Sequence, residues 1–384
     1  MKKYALLLFC FLFTVAGFSQ SKIIYEEFDS YKLDASRRLK IQLPRDYEHN
    51  IDKVYPIIIV LDANYLFEPV AGNVDYFSYW EDMPESIVVG IMQGDSRYDD
   101  CSYDSTTFMP SETGADFFEF IGLELLPYLD EKYRTAKFTI AVGHDFTANF
   151  INYYLFKDPP LFNGYISLSP DLAPLLDERI PERIPQIRTK TFYYLATGTD
   201  DVTDLNEISI DLDSKLKGLK SDNFDYYFDN FDGATHYSLV ARAIPSALEK
   251  IFSVYRPISK KEYTDVLLKL ETPIYLYLAD KYRTIEDLFG LTNAIRENDF
   301  IATLKAAEKT KQWDSLRDIA TLAKKQYPDT VLGPYYLARY YEETGEPKKA
   351  MRIYQGAYDK EEVGSITIDT MLDKADKIKE DFGY

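Results

Sequence analysis

The sequence predicts an α/β fold, a mostly parallel sheet with flanking helices, followed by a small all-α helical-repeat appendage. Three observations carry this. Short apolar runs alternate with longer periodic stretches from about Tyr25 to Arg256, the pattern of strands separated by helices. After Pro257 the strand signals stop and amphipathic helical patterning continues to the end. At 384 residues, 46% of them hydrophobic, the chain is long enough for one large domain with an appendage.

In chain order, Met1-Lys2-Lys3, the apolar run Ala5 to Val15 and the small, polar stretch Ala16 to Gln20 have the three parts of an export signal. Residues 1–20 are therefore expected to be removed, leaving a periplasmic or secreted chain. The apolar run is too short to span a bilayer, and no other segment comes near the required length. Cys10 lies inside that run, so Cys101 is the lone cysteine of the remainder and no intramolecular disulfide is expected.

The strand candidates are Ile57 to Leu61, Ile87 to Ile91, Phe138 to Val142, Tyr165 to Leu168, Phe192 to Ala196 and Phe224 to Phe228. Helical spacing of Phe117, Phe118, Ile121, Leu125 and Leu129 predicts a helix over Ala115 to Leu129 packed on that sheet, with Pro127 blurring its bounds. The sheet domain is placed at 21–256 and the helical part at 257–384. In the latter, 34-residue windows lie over Glu297 to Thr330 and Val331 to Gly364. The second puts Leu337, Ala338, Tyr341, Gly345, Ala350, Tyr354 and Ala357 where a tetratricopeptide repeat wants its packing residues. The first matches through Leu316, Ala320, Ala323 and Pro328. Such a surface can take a protein partner or cap the domain beside it.

The 63 acidic against 44 basic residues give a net charge of -19, which repels phosphate backbones and excludes nucleic acid as an expected partner. No HExxH or CxxC spacing occurs, so no metal or other cofactor is expected. Tyr76-Phe77-Ser78-Tyr79-Trp80 could supply an aromatic ligand wall or ordinary core and rim.

Gly143-His144-Asp145-Phe146-Thr147, after the run Phe138 to Val142, reads as a strand-to-helix nucleophile elbow whose serine is replaced by aspartate. Gly143 keeps the first small position of that turn. Thr147 puts a β-branched residue at the second, where backbone normally approaches closely.

Further pieces are Pro56 to Asp62, Ile87 to Ile91, Ser96-Arg97-Tyr98-Asp99-Asp100, Tyr133-Arg134-Thr135, Ser167-Leu168-Ser169-Pro170 and His236-Tyr237-Ser238. In that order and spacing, Leu39 to about Phe252 resembles the esterase-D and enterochelin-esterase branch of the α/β-hydrolases. Periplasmic members of that group are similar also in carrying a short helical tail. The resemblance implies a Ser, acid, His triad acting on esters or thioesters. It places Asp145 at the nucleophile, His236 at the general base and Asp201 at the acid, with Asp200 and Glu207 as alternatives for the acid. It also implies an oxyanion hole of backbone N–H groups from Phe146 and from the Asp62-Ala63-Asn64 loop, through Ala63. His144 and His49 read as structural, and Cys101 as incidental.

Carboxylate attack on an ester carbonyl must expel an alkoxide, a far worse leaving group than the carboxylate itself. Ordinary ester cleavage through Asp145 is thus disfavoured. Carboxylates do act as nucleophiles at saturated carbon, and the elbow resembles that of haloalkane dehalogenases and epoxide hydrolases. Phe146, however, lacks the indole donor that those dehalogenases place after the aspartate. Three readings follow: a disarmed esterase-like protein that binds a small-molecule ester or related ligand, with Asp145 braced against His236; an active hydrolase using Asp145 as nucleophile or base; and a repeat-mediated interaction module.

Overall fold

The computed structural model describes residues 21–384; the export signal expected at 1–20 lies outside the described residues. Eight strands form one sheet: β1 (Lys22–Ser30), β2 (Ala35–Leu43), β3 (Tyr55–Val60), β4 (Ile87–Ile91), β5 (Thr135–His144), β6 (Gly164–Leu168), β7 (Thr191–Asp200) and β8 (Phe224–Thr235). Their order is β1-β2-β4-β3-β5-β6-β7-β8. β2 alone runs against the others, antiparallel to both β1 and β4, and β3 to β8 run parallel to one another.

The apolar runs become central strands because helices cover both faces of the sheet. Along β3, Ile57 and Ile59 enter one core while Ile58 and Val60 enter the other. A strand buried on both sides has no polar face to show, so it reads as an unbroken apolar run.

The hairpin was not among the strand candidates, since β2 carries Arg37, Lys40 and Gln42 within it. All three are buried and answered: Arg37 by Asp100 at 2.8 Å, Lys40 by Glu68, and Gln42 by the Ala71 carbonyl at 2.9 Å. The predicted helix runs longer, over 113–132, and widens into a π turn at Phe120–Leu125. Pro127 falls just after that turn, at the start of the last α-helical segment.

Helix α1 (Phe67–Tyr79) leaves the carboxyl end of β3 and runs back toward the amino ends of the strands. It therefore carries Tyr76 to Trp80 to the face opposite Asp145, where Tyr79 lies under the Arg45 guanidinium. This stretch is not a wall of the elbow site.

Beyond residue 257 the chain is helical and builds a third core. The first 34-residue window holds Glu297–Lys309 and Trp313–Gln326; the second holds Leu332–Glu343 and Pro347–Gln355. Leu316, Ala320, Ala323, Ala338, Ala350, Tyr354 and Ala357 are all buried. One helix, Ile274–Phe289, serves two cores: Ile274 and Leu278 face the helical region, while Ile285 and Phe289 enter the sheet domain. Phe289 meets Phe138 of β5 edge-on at 4.9 Å. Arg296 fastens the same junction, 3.1 Å from Glu81 and 2.8 Å from the Tyr255 carbonyl. Among the described residues no helix is long and apolar enough to cross a membrane.

Candidate active site

Strand β5 ends at His144 and helix α2 (Phe146–Asn152) begins at Phe146, leaving Asp145 alone at the corner with φ 60° and ψ −122°. That backbone state is costly for a residue with a Cβ and persists where its surroundings enforce it. Here the Asp145 N–H bonds the Leu168 carbonyl at 3.0 Å. Gly143 allows the turn to close, since a Cβ there would stand 2.4 Å from the Thr147 carbonyl oxygen. Thr147 is fully buried and is accommodated through its hydroxyl, which accepts the His144 N–H at 2.9 Å and lies 2.9 Å from Asp62 Oδ2.

The expected acid and base are together. His236 Nδ1 is 2.8 Å from Asp201 Oδ1, just beyond β7. Burial alone would raise the Asp201 carboxyl; hydrogen bonds from His236, Ser169 and the Val202 N–H outweigh it and hold the group below the usual carboxylate range. Asp200 and Glu207, the alternatives, both point to solvent.

The carboxylate of Asp145 is not braced against His236. Its ion pair is with Arg97, whose Nη2 lies 3.2 Å from Asp145 Oδ2 and whose Nε lies 2.7 Å from Asp62 Oδ1. Arg97 thus bridges two carboxylates while its guanidinium covers the Phe146 ring, 5.2 Å from the centroid. Burial works against the Arg97 charge, but the hydrogen bond and attraction of Asp62 more than restore it. The electrostatic reason for this partner is plain: Arg97 carries a permanent charge at the elbow, whereas the imidazole is already committed to Asp201.

Of the expected oxyanion donors, Phe146 is the first residue of α2, where an N–H has no carbonyl one turn back to bond. Ala63 differs: its N–H is spent on the Ile91 carbonyl at 3.1 Å, closing the β3–β4 ladder, and it is not available to an oxyanion.

Several site residues carried no assigned role in the sequence; Arg97 and Ser169 stand within the quoted motifs, Gln93 and Asp171 outside them. Ser169, with φ 44°, places its hydroxyl 3.2 Å from His236 Nδ1. Gln93 accepts the Asp62 N–H at 2.9 Å and donates to Asp100 at 3.1 Å, linking the site loop to Arg37 of β2. Asp171 donates its N–H to the Asp145 carbonyl at 3.3 Å, and its carboxyl is raised by burial and by the charge of Asp145. Tyr65 and His144, neither expected to matter, form a chain from Asp62 to the His236 backbone. Burial, then the neighbouring His236, pushes the His144 imidazole down to about 4. Tyr98 and Tyr237 stand exposed at the rim. Cys101 is buried behind the site beside Gln93, its thiol pushed up by burial and then by the charge of Asp62, and His49 lies on an exposed loop.

The arrangement supplies a carboxylate at a strained elbow, clamped by a guanidinium, beside a His–Asp dyad. The chain is similar over 94% of its length, at 30% identity and with a TM-score of 0.84, to the whole of an uncharacterised protein from Capnocytophaga ochracea. An IroE-like serine hydrolase from Shewanella oneidensis matches 79% of the chain and 99% of its own length, at 18% identity and a TM-score of 0.60. Siderophore hydrolase EstA from Aspergillus nidulans matches 60% of the chain and 94% of its own length, at 15% identity and a TM-score of 0.51. No curated protein matches the chain in sequence. The esterase family model, described as "Putative esterase", matches residues 30–261. The chain belongs to this esterase family.

Proposed function

We propose that the chain is an exported esterase-family protein whose pocket binds a small-molecule ester or a related ligand, with weak or no turnover of simple esters. The observation that carries this reading is the Arg97–Asp145 ion pair at the elbow tip, beside a His236–Asp201 pair that keeps its hydrogen bond. A carboxylate there cannot form the ordinary acyl-enzyme, and pairing with a guanidinium makes it a poorer nucleophile still. The same pairing argues against dehalogenase-like attack by Asp145. Export rests on the three-part leader at 1–20, and the windows over 297–364 are read as tetratricopeptide-like on the strength of one helix pair in each.

The test is hydrolysis of 4-nitrophenyl acetate by the mature chain beside Asp145→Ser, Asp145→Asn, His236→Ala and Asp145→Ser/His236→Ala. Wild type is expected near the uncatalysed rate. Asp145→Ser is expected to gain turnover by about a hundredfold or more, and to lose it when His236 is also removed. Wild-type turnover abolished by both Asp145→Asn and His236→Ala would make Asp145 catalytic and overturn the reading.

A further inference from the structure

His144 is buried immediately before the elbow residue, and its two ring nitrogens face groups of different kinds. Nε2 lies 3.1 Å from the main-chain carbonyl oxygen of His236. Nδ1 lies 3.0 Å from the Tyr65 hydroxyl. The two imidazoles lie against each other, centroids 4.3 Å apart and planes tilted by 35°.

Proton counting sets the tautomer. A carbonyl oxygen only accepts, so Nε2 must carry the hydrogen. In the neutral ring Nδ1 is then the acceptor, and the Tyr65 hydroxyl must donate to it. That hydroxyl has a single proton, and Asp62 Oδ2 competes for it at 3.0 Å. Asp62 does not depend on Tyr65, because Arg97 at 2.7 Å and the Thr147 hydroxyl at 2.9 Å already serve it.

We propose that His144 is a positioning residue for His236: held as the Nε2–H tautomer, with the Tyr65 hydroxyl on Nδ1, it fixes the His236 carbonyl and so sets where that imidazole meets Asp201. The charged and titratable groups around it are Asp62, Tyr65, Asp145 and His236, together with Arg97, which donates to the His144 carbonyl at 3.3 Å. Of these, Asp62 and Arg97 also hold the elbow, so the chain Asp62–Tyr65–His144 couples the Asp145 clamp to the His236 loop. The inference rests on the proposed reading in taking His236 as the base of the site.

With only three histidines, the imidazole nitrogens can be assigned by deletion in ¹⁵N spectra of the full mature chain, and no turnover is needed. His144 is expected as the neutral Nε2–H tautomer. His144→Phe is expected to displace the Nδ1 resonance of His236 from its wild-type position, because the hydrogen bond to Asp201 changes with the His236 backbone. His144→Gln, which offers a donor near the Nε2 position, is expected to restore it. If His144→Phe does not fold, Tyr65→Phe carries the test, since it removes only a hydroxyl: the His144 signals shift and those of His236 follow. An Nδ1–H tautomer at His144, or a His236 resonance unmoved by these changes in a folded chain, would overturn the proposal. Because the readout is spectroscopic, its failure is distinct from any result of the ester assay.

Discussion

Arg97 joins Asp145 to Asp62, with 3.2 Å to the first carboxylate and 2.7 Å to the second, so that the residue standing in for a nucleophile is one arm of an ion-pair triad. The Asp62 side chain is 3% exposed and that of Asp145 19%, so solvent screens this triad far less than a surface pair.

Removing the bridge leaves two nearby carboxylates without their shared counter-charge. Arg97→Ala is expected to destabilise the chain by about 3 kcal/mol in urea unfolding. Asp145→Asn in that background should recover part of the loss, because it removes one of the stranded charges. A cost below about 1 kcal/mol would mean that the triad is held loosely.

His144 makes stability depend on pH. Its folded value of about 4 lies below the ordinary 6.5, so between those values the unfolded chain binds more protons than the folded one. The contribution is therefore complete above pH 6.5 and is lost as pH falls toward 4. From pH 7 to pH 5 wild type is expected to lose roughly 2 kcal/mol relative to His144→Gln. Parallel stability curves for the two proteins over that window would show that His144 takes up its proton without penalty.

The elbow itself tolerates no extra carbon at its base. Gly143→Ala drives a Cβ to 2.4 Å from the Thr147 carbonyl oxygen, which is backbone and cannot swing aside. The expected cost is about 2–4 kcal/mol, read as a lowered midpoint of thermal unfolding.

Phe289 tests whether the two regions unfold together. Truncation to alanine empties a site shared with Phe138, Phe252 and Tyr255 and is expected to cost about 3–5 kcal/mol. In a Trp80→Phe background the fluorescence of Trp313 reports the helical region alone. Its unfolding midpoint should fall along with that of the sheet. A Trp313 transition left unmoved would show the cores to be independent.

Much of the parallel sheet was legible, because Ile57 to Val60 and Phe138 to Val142 have no polar face to confuse the period. The hairpin was not. Lys40 and Gln42 look like solvent-facing residues until Glu68 and the Ala71 carbonyl, supplied by α1, are in place. The same holds in the site. The elbow announced itself through Gly143 and the run before it, since local strain needs local sequence. Arg97 as the partner of Asp145, and Tyr65 on His144, are contacts between separate loops that no spacing along the chain encodes. The spent N–H of Ala63 was equally invisible, for it depends on the register of β4 beside β3.

The positive φ of Asp145 also bears on how such a corner changes over generations. Serine and aspartate codons are not neighbours by a single base change; from the AGC and AGT serine codons, glycine and asparagine stand between them. Those are the residues most at ease in left-handed backbone. A gene crossing between the hydroxyl and the carboxylate at this position would therefore pass through proteins that still fold, and the exchange is open in both directions.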